Sequence, residues 1–242
     1  MRKIIISDIH GCFYTMQHLL KEINFNPNND KLICLGDMGD RGKNTRLVWE
    51  YFFTLQKECT HHVVLLGNHE DMFNLAMKEA MYKPYERKRQ EHYFRNGGLM
   101  TLRSFYPEAT KEESGFYFKK IADKHKALRY WLKNLQTRYE SDNFYFVHAG
   151  VDLSKTFWNQ NHLDMIWIRE PFLSSNNKYN KKIFYGHSPV MEEPYYEIKE
   201  NRINIDGGCV YGGKLNIFII NDDNILIKQS TIDERDIYEN NR

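Results

Sequence analysis

Asp37 and Asp40 stand three residues apart in KLICLGDMGDRG, the segment Lys31 to Gly42, where an apolar run ends in two carboxylates, an arginine and three glycines. Carboxylates crowded at the end of a buried run repel each other unless something positive sits between them. A metal ion or a phosphate-bearing ligand would meet that need. The pattern recurs along the chain: Asp8 and His10 follow KIIIS, Asn68 and His69 follow VVLLG, His148 follows FYFV, and His187 follows IFYG. Asp8, His10, Asp37, Asn68, His148 and His187 make a mixed oxygen and imidazole set. Such donors suit manganese, iron or zinc better than calcium or magnesium, and without thiolates they do not make a structural zinc site. Six are too many for one ion with an open position. Two ions about 3.5–4 Å apart that share a carboxylate would use them all, and Asp37, first after its run and central in chain order, is the best bridge.

These residues need elements to hold them. KIIIS, KLICLG, HVVLLGN, FYFVHAG, KIFYGH, RINID and KLNIFIINDDNILI read as buried strands from their length and β-branched content. Between the early ones, YTMQHLLKEI and NTRLVWEYFFTLQKE space their apolar residues as helices do. Strand, helix, strand, helix predicts an α/β core with parallel strands, and loops at the carboxyl edge of such strands converge on one crevice. The later strands follow one another more directly, with a hairpin around Asn221 to Asn224. A layered α/β (α+β) fold with a mixed sheet is therefore expected over a purely doubly wound one.

From about Asp71 to Gln136 the strands stop. This stretch predicts a helical insertion or cap, 71–136, within a single domain spanning 1–242. Its run ERKRQEH reads first as a solvated helix face and second as a substrate-selecting wall. Tyr93, Phe94, Phe105 and Tyr106 read as core packing before substrate platform. His18, His61, His62, His92, His125 and His162 read as surface or structural histidines, and the final KQSTIDERDIYENNR as a solvated tail.

Composition sets bounds. With 242 residues, 41% hydrophobic and 27% charged, the chain has the make-up of a globular protein. A net charge of +2 is too mild to argue for nucleic acid or an anionic membrane. Cys12, Cys34, Cys59 and Cys209 are widely spaced without a CxxC pair, as expected of thiols in a reducing compartment. The N-terminal apolar run is too short for a signal peptide, and no later run could span a bilayer, so a cytoplasmic location is expected.

In order, SDIHG, GDMGDRG, GNHE, HAG and GH resemble the GDxHG, GDxxDRG, GNHE, HAG and GH series of the phosphoprotein phosphatase branch of the calcineurin-like metallophosphoesterases. WIRE and IDGGCVYGG resemble its bacterial members, so the likeness spans residues 3 to 215. The resemblance implies a mixed β-sandwich flanked by helices and a bacterial or phage-type serine/threonine phosphatase. It assigns Asp8, His10 and Asp37 to one metal, and Asp37, Asn68, His148 and His187 to the other. A hydroxide held between two divalent transition-metal ions would attack phosphorus in line; manganese is the expected ion in vitro, with iron, zinc or nickel as alternatives. His69, kept oriented and cationic by Asp40, would protonate the leaving oxygen, while Arg41 and Arg169 would clamp the phosphate oxygens.

Glu70 reads as either a support for the ligands or a favourable charge in a helix's first turn. Asp206 is expected to orient a histidine ligand from behind. Ser7 replaces the family's first glycine, and Gly39 stands where a larger apolar residue is usual, which would loosen the loop carrying Asp40 and Arg41. The expected partner is a phosphoprotein or a small phosphorylated substrate, with no membrane and no specific nucleic acid. GNHE favours phosphoserine and phosphothreonine, because relatives that cleave symmetrical dinucleoside polyphosphates tend to carry GNHD; diadenosine tetraphosphate is the alternative substrate. An inactive phospho-ligand scaffold would have lost His69 or a metal ligand, and none is lost.

Overall fold

A computed structural model describes residues 1–141, 143–221 and 224–237. Two five-stranded sheets pack face to face. The first runs β10-β9-β1-β2-β3, built from β1 (Arg2–Ile6), β2 (Asp30–Cys34), β3 (Val63–Val64), β9 (Lys214–Asn221) and β10 (Asn224–Thr231). The second runs β4-β5-β6-β8-β7, from β4 (Arg138–Glu140), β5 (Phe144–Val147), β6 (Lys182–Tyr185), β7 (Glu197–Lys199) and β8 (Arg202–Asn204). β1, β2 and β3 are parallel, joined through α1 (Phe13–Glu22) and α2 (Thr45–Glu58), and β9 closes the other side of β1 antiparallel.

Alternation along each strand decides which layer it feeds. On β1, Ile4 and Ile6 face the helices while Ile5 joins the core between the sheets; on β9, Ile217 and Ile219 face the helices and Phe218 and Ile220 the sheets. The second sheet answers with Phe144, Phe146 and Phe184, the last two stacked with centroids 5.5 Å apart. Its other face, with Ile183 and Tyr185, packs on Met165 of α8 (His162–Trp167) and on Phe172. On the helical side, Met16, Leu19 and Leu20 of α1 and Val48, Trp49, Phe52 and Leu55 of α2 recur at three- and four-residue spacing and are buried.

Between β3 and β4 run five helices: α3 (Asn68–Tyr82), α4 (Lys88–Arg95), α5 (Gly98–Phe105), α6 (Ser114–Lys124) and α7 (Lys126–Lys133). Their aromatics, among them Tyr93 and Phe118, extend the helix-side core. Among the described residues no helix is long and apolar enough to cross a membrane.

One expectation needs correction, and two strands lie outside the expected set. The strands bearing ligand-type residues are divided between two sheets, as the expected mixed β-sandwich requires, and β4 and β7 are further edge strands; both are short and charged, so no apolar run announced them. The C-terminal stretch is not a solvated tail as far as it is described. Lys228–Thr231 pairs with β9, and Asp236, 1% exposed, accepts bonds from Tyr14 N, Thr15 N and Thr15 Oγ1 at 3.2, 2.7 and 2.8 Å. It satisfies first-turn N–H groups of α1, whose own N-cap, Cys12, supplies no side-chain bond. Residues 238–242 and the hairpin turn at 222–223 lie outside the described residues.

Candidate active site

The loops after β1, β2 and β3 meet those after β5 and β6 at one end of the sandwich. Within 4.8 Å of one another lie ligand atoms of His10, Asp37 and His69, and likewise of Asp37, His148 and His187. Asp37 belongs to both groups. His10 Nδ1 donates to Gly39 O at 2.7 Å, which leaves its Nε2 lone pair facing Asp37 Oδ2 at 3.7 Å. His148 repeats the device: Nδ1 donates to Leu35 O at 3.1 Å and Nε2 faces Asp37 Oδ1 at 3.3 Å. Backbone carbonyls thus fix the ring orientation, so that Nε2 of each histidine faces the shared carboxylate. Asn68 Oδ1 lies 3.0 Å from His148 Nε2 and 2.9 Å from His187 Nδ1. His187 Nε2 is buried without a hydrogen-bond partner. Imidazole nitrogens and oxygen donors gathered around one buried carboxylate, with His187 Nε2 left without a hydrogen-bond partner, fit divalent cations.

Asp8 is placed differently from the other candidate ligands. Its carboxylate accepts the His187 backbone N–H at 3.1 and 3.2 Å, tying the β1 loop to the β6 loop. Gly186 permits that approach, since a Cβ there would collide with the Asp8 carboxylate.

The charges are mutually adjusted. Burial opposes the Asp37 anion, but His148, His69 and His10 hold its carboxyl well below the usual range. Burial opposes a charge on His148, yet Asp37 pushes it up to about 9. Burial and the charge of His148 push His187 down to about 3.

His69 Nδ1 donates to Asp40 Oδ2 at 2.7 Å, and its Nε2 lies 3.9 Å from Asp37 Oδ2. The other Asp40 oxygen accepts Tyr93 Oη and Thr101 Oγ1, each at 2.5 Å. The dyad is therefore a four-residue network, fully buried, with all carboxylate contacts from donors. Sequence reading placed Tyr93 in core packing first and a substrate platform second, and passed over Thr101; lying 53 and 61 residues from Asp40, neither carries a local signal.

Six residues here, Asp8, His10, Asp37, Asp40, Arg41 and His187, have positive φ without being glycine. Such conformations cost about 1–2 kcal/mol each and persist only where surroundings enforce them. Glu70 enforces the conformation at Asp37 and the two residues after it. Its Oε2 accepts from Asp37 N at 2.9 Å and Gly67 N at 3.2 Å, and its Oε1 from Met38 N at 3.0 Å, Gly39 N at 3.1 Å and Trp49 Nε1 at 3.4 Å. Burial and Asp37 push its carboxyl up to about 7, whereas five N–H donors call for the anion. Gly39 does not loosen this loop, contrary to the expectation drawn from its size. A Cβ there would lie 2.7 Å from Trp49 Cζ2, so the indole occupies the space that a larger residue would fill.

Arg41 reaches His10 Nε2 through its guanidinium, which also lies 5.2 Å from the Tyr211 ring centroid. Arg169 donates to His187 O at 3.1 Å. Both cations border the donor groups. Among the described residues Asp206 makes no hydrogen bond to a histidine ring: its Oδ1 accepts Gly208 N at 2.9 Å, holding the loop that carries Tyr211. The pair WIRE and IDGGCVYGG was the available signal for Arg169 and Tyr211.

Comparison with known proteins agrees with this arrangement. Residues 1–212 match the family model described as calcineurin-like phosphoesterase. The chain is 26% identical to the asymmetrical bis(5'-nucleosyl)-tetraphosphatase PrpE of Oceanobacillus iheyensis, covering 90% of this chain and 88% of that protein. It is 25% identical to serine/threonine-protein phosphatase 1 of Salmonella typhimurium, covering 88% and 89%. In fold it is similar to a protein serine/threonine phosphatase from Saccharomyces cerevisiae, with a TM-score of 0.64 at 16% identity over 97% of this chain and 81% of that one. A sandwich whose loops gather two donor groups around one shared aspartate, together with a family match over most of its length, makes this chain a member of the calcineurin-like phosphoesterase family.

Proposed function

We propose that the chain is a phosphomonoesterase of the phosphoprotein phosphatase branch, acting on phosphoserine and phosphothreonine in proteins. The observation that carries this reading is the shared Asp37 carboxylate beside the buried His69–Asp40 dyad. Asp8, His10 and Asp37 would hold one divalent transition-metal ion and Asp37, Asn68, His148 and His187 the other. When bound, such ions supply Lewis acidity and make water acidic enough to ionise near neutral pH; manganese suits the donors in vitro, as do iron, zinc and nickel.

The chain's own groups divide the remaining work. Arg41 and Arg169 bind and orient the non-bridging phosphate oxygens, for which the planar guanidinium fork is suited. His69 hands its Nε2 proton to the departing oxygen, and Asp40 fixes the ring for that transfer. Tyr93 and Thr101 hold Asp40 in turn. Four unpaired cysteines accord with a reducing, cytoplasmic setting.

A second reading is supported by the tetraphosphatase named among the relatives: dinucleoside tetraphosphates cleaved by the same groups. A side-by-side assay of the manganese-loaded enzyme separates the two. Phosphate release from a phosphoserine peptide, exceeding turnover of diadenosine tetraphosphate and of a phosphotyrosine peptide, is the expected result. Preference for the dinucleotide, measured by formation of its mononucleotide products, would replace the first reading by the second, and no hydrolysis of any of the three would overturn both.

A further inference from the structure

A cavity of about 630 Å³ opens beside the site, between α3, α4 and α8. Its walls include Met72 and Leu75 from α3, Arg89 and His92 from α4, Trp167 at the end of α8 and Arg169 just beyond it. Two of its lining residues, Trp167 and Arg169, neighbour His187. The Trp167 ring lies 6.0 Å from the His187 ring and 6.2 Å from the His92 ring, while Arg169 bonds the His187 carbonyl. A group attached to phosphorus on the His187 side would enter this space.

The lining chemistry is asymmetric. Each acidic residue at the rim already has a partner: Asp71 faces His162 at 4.0 Å, Asp164 faces Lys155 at 3.6 Å, and Glu170 accepts Ser174 Oγ at 2.6 Å. Among the described residues, the Trp167 indole N–H and the His92 ring make no hydrogen bond. Nor does the Arg89 guanidinium, which makes no ion pair within 4.0 Å although Asp71 lies in its electrostatic reach. An indole plate over apolar methionine and leucine, edged by donors with no protein acceptor, is built for a flat ring borne on an anionic linker.

We propose that this cavity is the subsite for the group carried on the scissile phosphate, that it takes a planar aromatic group, and that Trp167, Arg89 and His92 determine this specificity. The inference rests on the reading of the chain as a phosphoester hydrolase. Either a nucleobase or an aromatic side chain flanking a phosphoserine supplies the required chemistry.

The test compares kcat/KM for diadenosine tetraphosphate, for a phosphoserine peptide with a neighbouring tryptophan and for its alanine counterpart, each relative to glycerol phosphate. Stacking on an aromatic side chain corresponds to about 5–150-fold in affinity. Trp167→Ala is expected to lower one aromatic-to-glycerol ratio by about that factor, chiefly through KM, and Trp167→Phe to restore most of it. Arg89→Ala, at an exposed position, should lower the same ratio without risk to the fold. A fall confined to the dinucleotide identifies a nucleobase, and one confined to the tryptophan peptide identifies a side chain; ratios unchanged in both Trp167→Ala and Arg89→Ala overturn the proposal. Should the native enzyme hydrolyse none of these esters, the hydrolase reading fails by itself. The cavity is then tested by titrating adenosine 5'-monophosphate against tryptophan fluorescence: saturable quenching that disappears in Trp167→Ala supports the subsite, and absent or unaltered quenching sinks it.

Discussion

The two walls of the cleft are held in opposite ways. Around Asp37, Asp40 and His69 every side chain is buried and bonded from several directions, and strained backbone is enforced by Glu70, Thr101 and Tyr93. Across the cleft, Arg89, His92 and Arg169 are exposed, Trp167 is half-buried, and their polar ends make few contacts. The wall that would do chemistry is preorganised at the cost of backbone strain, whereas the wall that would choose the substrate is loosely held by side chains that can be exchanged without disturbing the core. This contrast accords with a family whose named relatives differ in what they cleave.

Substitutions can break the contrast or sharpen it, beginning with the most damaging. Asp37→Asn removes the oxygen donor common to both groups, so elemental analysis of the manganese-loaded protein should find both ions depleted and phosphatase activity abolished. A variant that retains both would mean that the bridge is misplaced. His69→Asn should lower kcat by about 10²–10⁴-fold, the usual contribution of a positioned acid or base, while metal content stays near the native level. Unchanged turnover would remove His69 from its role. Glu70→Gln keeps the shape but turns a donor toward backbone N–H groups; a drop of about 10–100-fold in metal affinity or activity is expected, as for other outer supports of ligands.

The smallest effect on turnover is expected on the far side of the sheet. His62 accepts Leu32 N through Nδ1 at 3.0 Å and faces Pro27 O through Nε2 at 3.1 Å, an arrangement for the neutral ring. Burial and His61 push it down to about 4. An unfolded histidine titrates near 6.5, so between roughly pH 4 and 6.5 the unfolded chain binds the extra proton and stability rises with pH. The contribution is complete above that window and is lost as pH falls through it. Urea midpoints of the native protein and His62→Gln should therefore converge as pH is lowered from 7 to 4.5; a constant gap would remove His62 from this role.

What could be read in the sequence follows from distance along the chain. Asp8, His10, Asp37, Asn68, His148 and His187 each come directly after an apolar run, so residue type and position disclosed where they would gather. The partition into two sheets could not be read that way, because parallel strands buried on both faces look alike whichever sheet they join. Asp236 bonds residues 221 and 222 positions away, and Thr101 bonds Asp40 across 61, contacts that only the folded chain creates. Gly39 shows the complementary error: a small residue suggested looseness, but Trp49, ten residues later and one helix away, makes up the volume.

Strand β1 has a consequence for biosynthesis. It is the third of five strands in its sheet, with Lys3 opposite Ile220 on one side and Lys31 on the other. During translation the loop bearing Asp8 and His10 emerges well before β9, and the strand behind it keeps an open edge until Lys214–Asn221 has left the ribosome. Premature termination before that point leaves a long apolar edge ready to pair with another nascent chain. The strand that closes the second edge of β1 is thus made only after His187, the last of the candidate ligands, has been synthesised.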